Sequence, residues 1–319
     1  MELDIQYLLL LQELRNATGG VFDELLNSVS KFAVDVLPYL PFVIFWGVDK
    51  QWGYFFLVNR HLGELVNGLV KLTVCAYRPW IRSELIEPAG DSKTAATGYS
   101  FPSGHTETAS IIYGSVFVWQ KDKRRWLAVT SALLILLTGF SRNFLGVHTP
   151  QDVVVGFLES VLLIYIVSVV SKKVKGNEAL IDLLTLVGMI VVFVTLAYVQ
   201  LKSYPMDYDA EGALLVDPGK MMNDFFKADG AFMGFLIGSY LERHYINYKI
   251  PVGAKELPVL VCVGAGLAFA WKEFFASAII IDFLGKHWGN FIARCIMILF
   301  VMCIWPMVIT KLCKSEAVA

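Results

Sequence analysis

The sequence predicts an all-α fold, a polytopic transmembrane helical bundle of about nine spans. Three observations carry that expectation. Of 319 residues, 56% are hydrophobic and 17% are charged, where a soluble chain carries about a quarter charged; the mean hydropathy is +0.58. Apolar runs recur along the whole chain, each near the roughly 20 residues that cross a bilayer as helix. The runs are continuous rather than alternating, and backbone groups in hydrocarbon must pair within helices or closed barrels, so these are helices.

The spans fall at about 32–48, 54–77, 104–119, 126–142, 152–170, 179–200, 228–241, 257–281 and 288–310. The seventh is short and the second is polar, which leaves eight as the other count. Ahead of them, 3–14 and 21–32 mix leucines with Asp4, Gln6 and Glu13 and read as helices lying in the interface plane. The expected division is an amphipathic interfacial segment over 1–31, a catalytic core over 32–175 and additional transmembrane helices over 176–319. The acidic start (Glu2, Asp4) lacks a small-residue cleavage site, so no signal peptide is expected.

Orientation follows from the loops, because Lys and Arg concentrate on the cytoplasmic side. Lys121, Lys123, Arg124 and Arg125 form one basic loop, and Lys172, Lys173 and Lys175 a second. Arg243, Lys249 and Lys255 form a third, and Lys311 and Lys314 end the chain. With nine spans all four clusters share a side. The opposite face then holds 78–103, 143–151, 282–287 and an acidic loop over 201–227, and it looks to periplasm, cell exterior or lumen. Asn16, Ala17 and Thr18 form a glycosylation sequon on that side.

Composition also excludes. A net charge of −1, without a basic stripe, argues against nucleic acid as partner. Cys75, Cys262, Cys295, Cys303 and Cys313 sit in or beside apolar runs without CxxC spacing, so neither disulfides nor zinc are expected.

Three segments on the outward face carry polar groups. Lys71 and Arg78 lie seven apart; on one helix they would share a face about 10 Å apart along the axis, within reach of one phosphoryl group. Pro79 then stops the helix. Pro102, Ser103, Gly104 and His105 open the third span, where unpaired N–H groups and the dipole favour an anion. Ser141, Arg142, His148 and Asp152 bridge the fourth and fifth spans, with Thr149 as N-cap, Pro150 at N1 and Asp152 at N3. Each admits a plain structural explanation. Lysine and arginine snorkel, a histidine sits at an interface, and an acid suits a first turn. Three such segments on one membrane face do not.

These residues resemble the type 2 phosphatidic acid phosphatase (PAP2) superfamily, whose signature is K-x6-RP, then PSGH, then SR-x5-H-x3-D. Every signature position is present and in order, over roughly residues 50–172. The resemblance implies a PAP2-type core with His148 as nucleophile, Asp152 orienting it and His105 as general acid and then base. It implies that Lys71, Arg78, Ser103, Gly104 and Arg142 bind the substrate phosphate. No cofactor and no metal are expected, since three cations can neutralise a transferring phosphoryl group.

The expected reaction is hydrolysis of a phosphate monoester or pyrophosphate, of a lipid entering laterally between spans. The alternatives are a soluble sugar phosphate, a lipid phosphotransferase and a non-catalytic phospholipid-binding or transport protein. Nine spans with an outward N-terminus resemble the glucose-6-phosphatase layout. The intact signature speaks against a non-catalytic relative. Expected partners are the phosphorylated substrate and membrane lipids, and nothing in the sequence fixes an oligomeric state. Arg60, His61 and Glu64 read as a polar network within the second span. Lys272, Glu273 and Arg294 read as intramembrane charges, paired or snorkelling.

Overall fold

A computed structural model describes residues 2–90, 92–271 and 279–313. It is built of helices, with no strand among the described residues. Lys272, Glu273 and Lys314 lie outside the described residues.

The chain forms two compact units. The first comprises Met1–Pro38, Val66–Ile166 and Leu201–Met222. It opens with α1 (Leu3–Ala17) and α2 (Asp23–Asp35). Ile5 and Leu8 of α1 pack with Ile86, and Trp80 joins them. The buried stripe of α2 is Leu26, Ser30 and Ala33, the i, i+4, i+7 spacing of one helix face. That face packs on α7 (Gly104–Gln120) and α8 (Arg125–Phe144). The first half of α9 (Pro150–Val174) closes the unit, and Gly156 lets it approach the start of α7. A Cβ there would stand 2.8 Å from the Ser103 carbonyl oxygen.

α4 (Lys50–Val74) ends earlier than the sequence suggests. Cys75 takes a left-handed conformation (φ 53°), which breaks the helix. Arg78 is extended ahead of Pro79 (φ −66°, ψ 154°), as residues before proline are, and caps the short helix α5 (Pro79–Arg82). Lys71 and Arg78 therefore do not share a face of one continuous helix. Residues 75–78 between them are not helical.

The second unit comprises Tyr39–Leu65, Val167–Gln200 and Asn223–Ala319. α3 (Leu40–Gly47) packs on α12 (Leu257–Ala270). The Trp46 indole donates to the Val301 carbonyl at 2.8 Å, and the Trp305 indole to the Leu260 carbonyl at 3.1 Å. Along α11 (Pro218–Leu241), Gly230, Gly234 and Gly238 form a small-residue stripe against α14 (Lys286–Leu299) and the turn that follows it. Glu64 pairs with Arg60 and lies 3.7 Å from His61, a network within α4 as the sequence suggests.

Five helical runs are long and apolar enough to cross a membrane: Asp23–Gly47, Arg125–Phe144, Pro150–Val174, Glu178–Leu201 and Lys286–Leu312. Leu257–Ala270 is apolar but shorter. The other three expected spans are helical, as α4, α7 and α11, but none is among the runs that meet that test, and α7 is 17 residues long.

Candidate active site

All eight site residues named from sequence lie in the first unit. The strand of chain that joins α8 to α9 turns on Gly146 (φ 71°) and delivers His148 to the start of α9. Thr149 and Asp152 form the expected reciprocal cap: the Asp152 amide donates to the Thr149 hydroxyl at 3.3 Å, and the Thr149 amide to Asp152 Oδ2 at 2.8 Å. The same carboxylate oxygen accepts from the Ser100 hydroxyl at 2.5 Å and faces His148 Nδ1 at 3.2 Å. Local helix capping thus fixes the carboxylate that faces the histidine.

The other ring nitrogen, His148 Nε2, lies 2.8 Å from Arg78 Nη1. A guanidinium only donates, so Nε2 must be the acceptor and Nδ1 carries the proton toward Asp152. Burial and the adjacent Arg78 charge push His148 well below the usual histidine range, with Asp152 acting the other way. The imidazole is neutral at pH 7, with its Nε2 lone pair on the side of the cations.

Arg78 is held from three directions. Its Nε donates to the Gly98 carbonyl at 3.0 Å, its Nη1 to the Val147 carbonyl at 2.9 Å, and its guanidinium lies 5.8 Å from the centre of the Trp80 ring. Burial lowers it to about 10, Asp152 opposing, so it remains charged at neutral pH. Lys71 reaches the same region from α4, its ammonium donating to the Pro102 carbonyl at 2.6 Å. Arg142 is buried near the end of α8 and donates to the Ser30 hydroxyl at 2.8 Å. Its own carbonyl receives the Val147 and His148 amides at 3.2 and 3.3 Å.

Ser103 caps α7, accepting from the Thr106 amide and hydroxyl, which leaves its own proton to donate. Gly104 follows it, and a Cβ there would meet only Asn67 Oδ1, at an ordinary 3.6 Å. His105 is half-buried and makes no hydrogen bond among the described residues. It stands at the start of α7, where Lys71 lands on the Pro102 carbonyl and the Ser103 amide donates to the Asp152 carbonyl at 2.9 Å. Two histidines, three cations and one orienting acid therefore converge on one locus.

Sequence reasoning missed four supporting residues. Ser100 binds Asp152, and Asn143 donates to the His148 carbonyl at 2.9 Å. Asn67, one turn along α4 from Lys71, donates to Glu159 at 2.5 Å. Ser100 and Asn143 stand inside or beside the motifs, the only signal they gave. Asn67 and Glu159 are 92 residues apart and gave none. Among the described residues no group of three or more His, Cys, Asp or Glu side chains is placed to hold a metal ion.

Comparison with known proteins bears on the same stretch. The PAP2 superfamily model matches residues 53–175. Phosphatidylglycerophosphatase B of Bacillus subtilis is 27% identical over 146 residues, 43% of this chain and 69% of that protein. Undecaprenyl-diphosphatase of Sulfolobus acidocaldarius is 22% identical over 122 residues, 38% of this chain and 56% of that one. Phosphatidylglycerophosphatase B of Escherichia coli K12 is 33% identical over 84 residues, 25% of this chain and 32% of that one. The match to the latter two thus spans less than two thirds of their length, and no solved structure matches the chain. Residues 53–175 are thus similar to the PAP2 superfamily, and all eight site residues named from sequence fall within that stretch.

Proposed function

We propose that this chain is a metal-independent membrane phosphatase that hydrolyses a lipid phosphate or pyrophosphate through a phosphohistidine at His148. The coarse class, a phosphatase of phosphate esters or pyrophosphate, follows from the PAP2 domain and its phosphatase relatives. The finer mechanism rests chiefly on one observation. His148 Nε2 is an acceptor whose partner is a cation, while Nδ1 is committed to Asp152.

In the first step the Nε2 lone pair attacks phosphorus as the P–O bond to the leaving group breaks. The electron pair of that bond goes to the leaving oxygen, which takes a proton from His105. Arg78, Lys71 and Arg142 carry the non-bridging oxygens, with the Ser103 hydroxyl and Gly104 N–H adding donors. Arg78 leaves Nε2 for a phosphoryl oxygen, which frees the lone pair as substrate arrives. In the second step water loses a proton to His105 and attacks phosphorus. The P–N bond breaks, phosphate departs and neutral His148 returns.

The lipid as substrate class draws on the relatives, two of which bear the name of a phosphatidylglycerophosphatase and one that of an undecaprenyl-diphosphatase. The nine-span topology and an active site on the non-cytoplasmic face belong to the same proposal, supported by the basic clusters at 121–125 and 172–175.

The test is a substrate panel on the purified protein. Phosphatidic acid, phosphatidylglycerophosphate, a prenyl pyrophosphate, glucose 6-phosphate and p-nitrophenyl phosphate are compared with and without EDTA. Turnover is expected to persist in EDTA and to fall with vanadate, which mimics the trigonal bipyramidal transition state. Long-chain substrates are expected to be preferred, at about 0.8 kcal/mol per buried methylene. A strict magnesium requirement, or equal efficiency for lipid and sugar phosphate, would overturn the metal-independent or the lipid part respectively.

A further inference from the structure

We propose that Ser30 is a positioning residue for catalysis, so that α1 and α2, outside the matched family stretch, form part of the phosphate site. The inference rests on the reading of Arg142 as a phosphate-binding cation.

The geometry starts on α2. Its buried stripe is Leu26, Ser30 and Ala33, two apolar residues with one hydroxyl between them, and Ser30 is fully buried. The Ser30 hydroxyl donates its proton to the Asn27 carbonyl at 3.0 Å. Its lone pairs are thereby turned outward, and one accepts from Arg142 Nη1 at 2.8 Å across 112 residues of sequence. A buried hydroxyl on an apolar stripe needs a partner, and here that partner is a cation of the site. Among the described residues Arg142 Nε has no hydrogen-bond partner, and Ser30 anchors the guanidinium at Nη1.

The rest of the segment clasps the same corner. Arg15 of α1 donates to the Glu87 carbonyl at 2.6 Å and to the Phe144 carbonyl, two residues beyond Arg142, at 3.4 Å. Gln12 donates to the Leu85 carbonyl at 3.1 Å and accepts from the Glu87 amide at 2.8 Å. The strap at 85–89 in turn bonds the loop that presents His148, the Ala89 amide donating to the Leu145 carbonyl at 3.0 Å. A guanidinium that must meet a phosphoryl oxygen in the transition state gains from arriving already fixed. Ser30 fixes it through one nitrogen, Nη1.

The test compares Ser30→Ala, the near-isosteric Ser30→Cys and the hydroxyl-retaining Ser30→Thr with the parent, in the full-length protein. Leu26→Ala serves as a packing-only control on the same stripe. Three quantities are read: kcat/KM for p-nitrophenyl phosphate, the vanadate inhibition constant and the melting temperature.

Loss of a hydrogen bond to a charged group predicts that kcat/KM falls about tenfold in Ser30→Ala and Ser30→Cys, the vanadate constant rising in parallel. The fall should lie in kcat more than in KM, because the contact matters most in the transition state. Ser30→Thr should keep parental vanadate affinity, and Leu26→Ala should lower the melting temperature without moving that constant. Parental vanadate affinity in both Ser30→Ala and Ser30→Cys would overturn the inference. So would a shift in Leu26→Ala as large as theirs. A parent protein that neither hydrolyses phosphate esters nor responds to vanadate would instead overturn the underlying phosphatase reading.

Discussion

Each of the two units buries a carboxylate among donors, and the two arrangements end differently. In the second unit Glu242 is fully buried. Its Oε1 accepts from Lys50 at 2.5 Å and the Tyr248 amide at 2.7 Å, and its Oε2 from the Tyr54 hydroxyl at 2.5 Å. Lys50 also donates to the Tyr248 carbonyl at 2.9 Å, and the Tyr248 hydroxyl to the Trp46 carbonyl at 2.5 Å. Every thread of this knot ends on backbone or on a neutral ring. In the first unit Asp152 is held as firmly, by Ser100 and the Thr149 amide, but its third partner is His148. The thread continues through that ring to Nε2 and its donor Arg78, which under the proposed mechanism exchanges it for a phosphoryl oxygen. A buried carboxylate by itself marks neither stability nor chemistry. What distinguishes the second is a lone pair held by an exchangeable cation.

The largest expected effect separates the two carboxylates. Asp152→Asn should cut kcat by about 10²–10⁴-fold, because an amide can present its N–H to Nδ1 and favour the wrong tautomer. Glu242→Gln should leave kcat per folded molecule unchanged while costing about 3–5 kcal/mol of stability, as the loss of one partner from a buried ion pair does. Lys50 keeps part of its side chain in solvent (28% exposed), which places the cost toward the lower figure. Thermal melts and active-site-normalised rates on both variants check this. A Glu242→Gln protein that loses turnover without losing stability would erase the distinction.

A smaller effect divides the two histidines. His105→Ala should slow substrates with alkoxide leaving groups far more than p-nitrophenyl phosphate, because nitrophenolate hardly needs a proton. Rates across a series of leaving-group pKa values give the slope, and an unchanged slope would remove His105 from the role of general acid.

The smallest effect is on pH. His148 sits well below the ordinary value of 6.5, so its own protonation should weaken the phosphorylation step only at pH below 6.5. The linkage has the matching sign. Between the two values the unfolded histidine binds a proton that the folded one resists, so this site's stability falls as pH drops below 6.5. Single-turnover rates against pH check the first statement, and a midpoint at or above 6.5 would contradict it.

Much of this site was legible in sequence because its placement is local. Thr149, Pro150 and Asp152 announce a helix start, and that cap is what fixes the orienting acid. The His148–Asp152 spacing of four then brings ring and carboxylate together. Lys71 and Arg78 were legible as a pair but not in their geometry, since nothing about Cys75 advertises a left-handed residue. The helix positions followed from apolar runs, whereas the glycine stripe at 230, 234 and 238 has meaning only once α14 is beside it. Ser30 and Ser100 are ordinary serines until tertiary structure sets them against Arg142 and Asp152.

If His148 Nε2 takes the phosphoryl group, rapid-quench capture with ³²P-labelled substrate will find the label there. Enzyme quenched in base within one turnover, where phosphohistidine survives, is digested and the label mapped. Label is expected on the peptide containing His148, accumulating in His105→Ala with p-nitrophenyl phosphate, with no label and no nitrophenol burst in His148→Ala. Label on His105, or a burst that persists in His148→Ala, would contradict it.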